Sequence, residues 1–541
     1  MNNYRLNVLG RIMLLITFIL SLVACSGGGS APTTTSETAT AAPAAAANPT
    51  LGFDTKTFRF SWTDVSDATH YRLLENPDGS SGSVQVGSDI AQSIQSVDHI
   101  VPLYARINAS YILQSCNTAG CTDSSAILIT GALVDAIGYF KASTGVEVGS
   151  SVSLSADGNT LAVGATSESS NTSGINTTPN FDGTANASGA AYVFSRSDTT
   201  WSEQAYIKAS NTGADDGFGD SIALSADGNT LAVGARSEDS NTTGINTTPN
   251  DDGAANNSGA VYVFSRSGTI WSEQAYIKAS NTGAADNFSE ALSLSADGNT
   301  LVVGAKSEDS NTVGINTMPN DDGAADNSGA AYVFSRSGTA WSQQAYIKAS
   351  NTGASDFFGA VGLSADGNTL AVGATNEDSN TTGFNTTPND DGTANTSGAA
   401  YVFSRSGTAW SQQAYIKASN NSVGDRFGSS VGLSADGNTL AASARFDDSN
   451  TTGINTTPNI DGNADFSGAA YVFSRSGTTW SEQAYIKASN TGASDAFGRS
   501  VCLSADGNTL AVGASNESSD TVGINTTPND DGVGVGAVYV Y

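Results

Sequence analysis

Between residues 137 and 541 the apolar positions fall in short runs divided by Gly, Asn, Asp and Ser, with no sustained helical period. The string Ser-Ala-Asp-Gly-Asn-Thr-Leu begins at Ser155, Ser225, Ser295, Ser364, Ser434 and Ser504, at spacings of 70, 70, 69, 70 and 70 residues. Self-similarity at a fixed period marks tandem structural units. Each unit holds four strand candidates; in the second they are 221–224, 230–235, 260–265 and 271–280.

Four short strands per unit predict the blades of a β-propeller. First, second and third strands occur six times, the last third strand being 536–541. Fourth strands follow a third only five times, from Trp201, Trp271, Trp341, Trp410 and Trp480. The missing one precedes the array as Ile-Gly-Tyr-Phe-Lys-Ala-Ser at 137–143. In an open stack these orphan strands would be exposed edges, whereas in a ring they complete one blade together. The expectation is an all-β, six-bladed propeller over 137–541, its N-terminal strand closing the last blade. Small residues in mid-first strand (Ser153, Ala223, Ser293, Gly362, Gly432 and Cys502) suit a crowded axis, and Cys502 is expected to be buried.

Ahead of the array, 50–132 carries strand-like runs at the spacing of a small β-sandwich. Cys116 and Cys121 flank a Gly turn, which predicts a disulfide in an exported protein; a zinc site would need further ligands. His70 and His99 have no nucleophile or carboxylate cluster nearby in sequence and are expected to be structural. Residues 1–24 combine Arg5, Arg11 and a short apolar run, the layout of a signal peptide. A Gly/Ser/Thr/Ala/Pro-rich tether follows over 25–49.

Three resemblances sharpen this reading. Leu22-Val23-Ala24-Cys25 resembles a bacterial lipobox, which implies cleavage before Cys25 and its acylation; Ser26 resembles an outer-membrane sorting signal of Gram-negative lipoproteins. Trp62, Ala68 and Tyr71, followed by the Tyr111 strand, resemble a fibronectin type III domain. Phe218-Gly219 with Gly234-Ala235 resembles the FG-GAP repeat of integrin α-chain heads and bacterial surface proteins. The pair recurs as Phe358-Gly359 with Gly373-Ala374 and as Phe497-Gly498 with Gly513-Ala514. That family implies a propeller with a binding role.

Composition narrows the partners. With 22 Lys+Arg against 52 Asp+Glu the chain carries −30, which disfavours nucleic acid and bare anionic membrane and leaves the lipid anchor as the membrane contact. Loops joining strands two and three, and strands four and one, are long and share one face, so a protein or glycan ligand is expected there. The first of these loops holds Glu238, Asp239, Asp251 and Asp252, echoed by Glu308, Asp309, Asp321 and Asp322 and by Glu377, Asp378, Asp390 and Asp391. Such carboxylates could hold calcium, the one cofactor considered, or could be plain acidic turns. The family's calcium hairpin is not carried over, because Asp157, Asp227 and Asp297 each stand alone. Acids recur in most units instead of converging once, and the propeller has no His, so no enzyme is expected.

Overall fold

The structure, a computed structural model, describes residues 41–541 except 55–56, 102–105, 107, 130–135, 137–139, 143–145, 181–182, 198–199, 251–252, 321–322, 390–391, 460–463, 521–533 and 535. The expected signal peptide 1–24 and Cys25 lie outside the described residues. Among the described ones no helix is long and apolar enough to cross a membrane. The chain forms two compact units, one built on Phe58–Val134 with the residues up to Phe53, the other on Asp135–Tyr541 with Asp54–Thr57.

In the first unit alternation sets two sheets. Thr50–Asp54, Thr57–Ser61 and Ser96–Ile100 form one, in that order. Val84–Ala91, His70–Asn76, Ser110–Asn117 and Gly120–Asp123 form the other, with Ile127–Leu128 added to Ser110–Asn117. Every second side chain turns inward, so Phe58, Phe60, Tyr71, Leu73, Tyr111 and Leu113 are buried, and Trp62 meets Tyr71 with ring centroids 5.2 Å apart. Cys116 and Cys121 face each other across the Asn117–Gly120 hairpin and are disulfide-bonded.

Each histidine lies beside one carboxylate. Antiparallel register sets Glu75 opposite Tyr111, and Glu75 Oε1 then accepts from the Tyr111 hydroxyl at 2.6 Å and from Arg106 Nε at 2.7 Å. His99 Nε2 lies 3.1 Å from the same oxygen, and His70 Nε2 lies 3.3 Å from Asp89. Strand pairing brings these carboxylates in from distant sequence.

The second unit is a series of antiparallel sheets. Its second sheet runs Ser221–Leu224, Thr230–Ala235, Ala260–Ser267, Ile270–Ile277, paired in chain order. The same order recurs in the sheets from Val152 to Ile207, Ala291 to Ile347 and Phe427 to Ile486, and in that from Phe358 to Lys417, which adds Gly383–Phe384 beyond its fourth strand. The inner sheets of the series are apolar on both faces because each is packed between neighbours. Leu231, Val233, Tyr262 and Phe264 pack against Val193, Ala205 and Ile207 of the sheet before. Ala232, Val261 and Val263 pack against Phe288, Leu301 and Tyr332 of the sheet after.

The inner hairpins are stitched in series. Backbone N–H groups of Ala156, Ala226, Ala296, Ala365 and Ala435 donate to the carbonyls of Ala226, Ala296, Ala365, Ala435 and Ala505, at 2.8–3.0 Å. Small residues are required here: a Cβ on Gly362 would sit 3.1 Å from the Val431 carbonyl of the next sheet.

The last sheet has three strands among the described residues, Phe497–Leu503, Leu510–Ala514 and Ala537–Val540. Val538 and Val540 are exposed, although their counterparts Val261 and Val263 are fully buried. Val152 and Leu154 on the first sheet are exposed as well. Cys502 is also exposed, against expectation, because among the described residues no further sheet covers the inner strand of the last one. Part of the expected closing strand, 137–139 and 143, lies outside the described residues. Phe140 and Ala142 are described and pack on the first sheet, Phe140 with centroids 5.3 Å from Phe194 and 5.2 Å from Trp201.

Candidate binding face

Short turns leave one end of every sheet. In Ser-Ala-Asp-Gly-Asn-Thr the Asp227 carboxylate accepts from Ser225 Oγ at 2.6 Å and from the Asn229 backbone N–H at 2.9 Å. The lone Asp is spent on its own turn, as an Asp-Gly hairpin requires. Beside it Arg266 crosses to the preceding sheet, donating to Gln204 Oε1 at 3.0 Å and to Thr160 Oγ1 at 3.2 Å.

The long loops leave the other end, and they are more built than their polar composition suggests. Glu238 sits just past the second strand with no exposed surface, and Lys278 at the end of the fourth strand reaches it at 2.6 Å, equally buried. The Tyr276 hydroxyl and Asn211 Nδ2 donate to the other oxygen at 2.9 and 3.0 Å. The pair recurs as Lys208–Glu168, Lys348–Glu308, Lys417–Glu377 and Lys487–Asp447, at 2.6–2.9 Å. Burial, ahead of the carboxylate's opposing pull, pushes each of these lysines down from its ordinary value.

From Glu238 the loop turns back along its own sheet. Asn246 N–H donates to the Tyr276 carbonyl at 2.7 Å, and the Tyr276 N–H returns a bond to Asn246 Oδ1 at 3.1 Å. The segment covers the edge of the fourth strand; in the fourth sheet it is a short strand, Gly383–Phe384. An edge protected in this way cannot recruit a foreign strand. Ser240 and Asn250 then close the loop base, Ser240 Oγ donating to Asn250 Oδ1 at 2.7 Å. Asp216, in the loop before the first strand, is buried and caps its own turn by accepting the Gly213 N–H at 2.7 Å.

Of the candidate calcium residues, only the first pair of each loop is described. Glu238, Glu308 and Glu377 face lysine ammonium groups inside the protein. Asp239, Asp309 and Asp378 are half-buried beside them. Asp251, Asp252, Asp321, Asp322, Asp390 and Asp391 lie outside the described residues. Among the described residues no group of three or more His, Cys, Asp or Glu side chains is placed to hold a metal ion. The ion pair itself escaped sequence reasoning, although five of the chain's eight lysines occupy one register at the ends of fourth strands.

Comparison with known proteins fits this architecture. No curated protein matches the chain. Among solved structures, Kuenenia stuttgartiensis hydrazine synthase is similar at 13% identity and a TM-score of 0.37, over 70% of this chain and 78% of that one. The WD40 repeats of RRP9 are similar at 10% identity and a TM-score of 0.32, over 73% and 93%. Neither likeness is close enough to carry an argument. The FG-GAP repeat matches at residues 201–264, 271–334, 341–403, 410–473 and 480–541, each match beginning in a fourth strand and ending in the next third strand. This chain belongs to the FG-GAP repeat family, as an FG-GAP β-propeller protein.

Proposed function

We propose that the chain is a surface-displayed binding module, held at the bacterial outer membrane through lipid on Cys25 and presenting the long-loop face of a closed six-bladed propeller to a protein or glycan. The observation that carries this reading is the repeated construction of that face. A buried Lys–acid pair fixes the root of the long loop in five sheets. Repetition of one rigid surface suits avidity for a repetitive ligand.

Closure is supported by what the two ends carry. Glu517 occupies the position of Glu238, is buried, and has no cation against it among the described residues. Lys141 occupies the register of Lys278 and is exposed. Likewise the exposed Val538 and Val540 match the exposed Val152 and Leu154 as two halves of one intersheet contact. The order of strands in the first unit, with its buried Trp62 and Tyr71, supports a fibronectin type III-like spacer.

Arrays of glycans and extracellular matrix proteins, probed with the full chain in detergent, test the binding role. Saturable capture by a defined class of ligand is expected. No capture above that of an unrelated lipoprotein would overturn it in favour of a passive envelope component.

A further inference from the structure

One set of side chains on the long-loop face does not repeat. The residue after each Phe-Gly position in the first strand lies beside the residue after the second strand of the same sheet. In the first sheet these are Ser150 and Thr166, hydroxyl to hydroxyl at 2.9 Å. In the second they are Asp220 and Arg236 at 3.4 Å, and in the third Glu290 and Lys306 at 3.0 Å. Each of these is neutral as a pair.

The fifth and sixth sheets break the pattern. There the equivalent positions hold Ser429 and Arg445, and Arg499 and Ser515, while Ser429 Oγ donates to the carbonyl of Arg426, a further guanidinium, at 2.6 Å. Among the described residues none of Arg426, Arg445 and Arg499 takes part in an ion pair. Arg426 and Arg445 both lie over the ring of Phe446, at 4.7 and 4.8 Å from its centroid. Phe446 is itself set against Phe466 at 4.8 Å. Arg445 Nε is buried and has no hydrogen-bond partner.

Two guanidinium groups held on one ring, with a buried donor unused and the charge of Arg499 acting on Arg445 as well, are costly unless an anion completes them. Burial first, then Arg499 and Arg426, push the Arg445 guanidinium below its ordinary value; the opposing carboxylate, Glu290, already holds Lys306. In a chain of net charge −30 a cationic cluster does not arise from general composition.

We propose that Arg426, Arg445 and Arg499, oriented by Phe446, form a binding site for an oxyanion group (carboxylate, sulfate or phosphate). The guanidinium fork matches the two oxygens of such a group, which is the geometry that a lysine or an amide cannot reproduce. The proposal rests on the reading of this face as the binding face and names its ligand chemistry.

Calorimetric titration of the full chain with sodium sulfate, sodium phosphate, an oligo-uronic acid and a neutral oligosaccharide of equal length tests it. The anions bind and the neutral sugar does not; preference for the oligo-uronic acid over the inorganic salts identifies an acidic glycan as the source of the group. Arg445→Gln weakens binding by at least about tenfold, equivalent to about 1.4 kcal/mol. Arg499→Gln, at an exposed position that does not endanger folding, weakens it in the same direction, and Arg236→Gln, which touches a paired arginine, leaves it within about threefold. No binding of any anion, or equal binding by Arg445→Gln, overturns the site. Array binding that survives Arg445→Gln would overturn the anion site and leave the binding face standing.

Discussion

Lys278 Nζ lies 2.6 Å from Glu238 Oε2, and neither side chain has any exposed surface. A strand end and a loop root, 40 residues apart, are locked by one contact that recurs through the array. Desolvating two charges is expensive, and the arrangement is tolerable because the remaining donors and acceptors are used. Lys278 also donates to Ser258 Oγ at 2.7 Å, and Glu238 accepts from Tyr276 and Asn211. Its structural result is specificity: it defines where the long loop leaves the sheet.

Removing one member should therefore be far worse than removing both. In Lys348→Met the Glu308 carboxylate stays buried without its cation, and urea unfolding should show a loss of about 3–5 kcal/mol. The double variant Lys348→Met/Glu308→Gln should recover most of it. A single variant within about 0.5 kcal/mol of the parent would show that the pair is not buried in solution.

The fifth sheet differs in having Asp447 where the others have Glu, and there Asp425 is affected. Burial first, then the charge of Asp447, raises the Asp425 carboxyl to about 8. An unfolded Asp ionises near pH 4. The folded state thus holds the proton more tightly than the unfolded state between about pH 4 and 8, so stability falls as pH rises through that window. Asp425→Asn, which keeps an acceptor for the Ser422 N–H, should flatten this part of the melting temperature–pH profile and melt higher than the parent at pH 8. A profile unchanged by the substitution would refute the assignment.

Asn246 adopts φ = 54° and its side chain accepts the Tyr276 N–H. Asn246→Ala removes that bond and places a residue with no local hydrogen bond in left-handed backbone, a cost of about 1–3 kcal/mol. Hydrogen exchange should report the loss locally, as faster exchange at Tyr276 and Lys278 with the inner strands of the same sheet unchanged. Uniform acceleration across the sheet would contradict the edge-cover role of this loop.

The repeat period, the Asp-Gly turns and the four strand runs of each unit were legible because strand alternation and turn chemistry are local properties of sequence. The loop between strands two and three was not. Gly-Ile-Asn-Thr-Thr-Pro is too short and polar to look like a strand, yet Ile245 bridges Ile277 because the fourth strand offers a free edge. Glu238 looked like an exposed loop acid, since nothing within ten residues shows that Lys278 lies across from it. Long-range pairing also hid the cluster of Glu75, His99, Arg106 and Tyr111. The arginines around Phe446 went unread, because their convergence requires the sheets to be in place.

Completion of one sheet by the two ends of the array is tested most directly by the stability of Lys141→Met beside that of Lys348→Met. If Lys141 meets Glu517 as Lys348 meets Glu308, urea unfolding of the two variants shows the same loss, about 3–5 kcal/mol, and Glu517→Gln rescues Lys141→Met. If Lys141 remains in solvent, its replacement changes stability by no more than about 0.5 kcal/mol, and the closed propeller is contradicted.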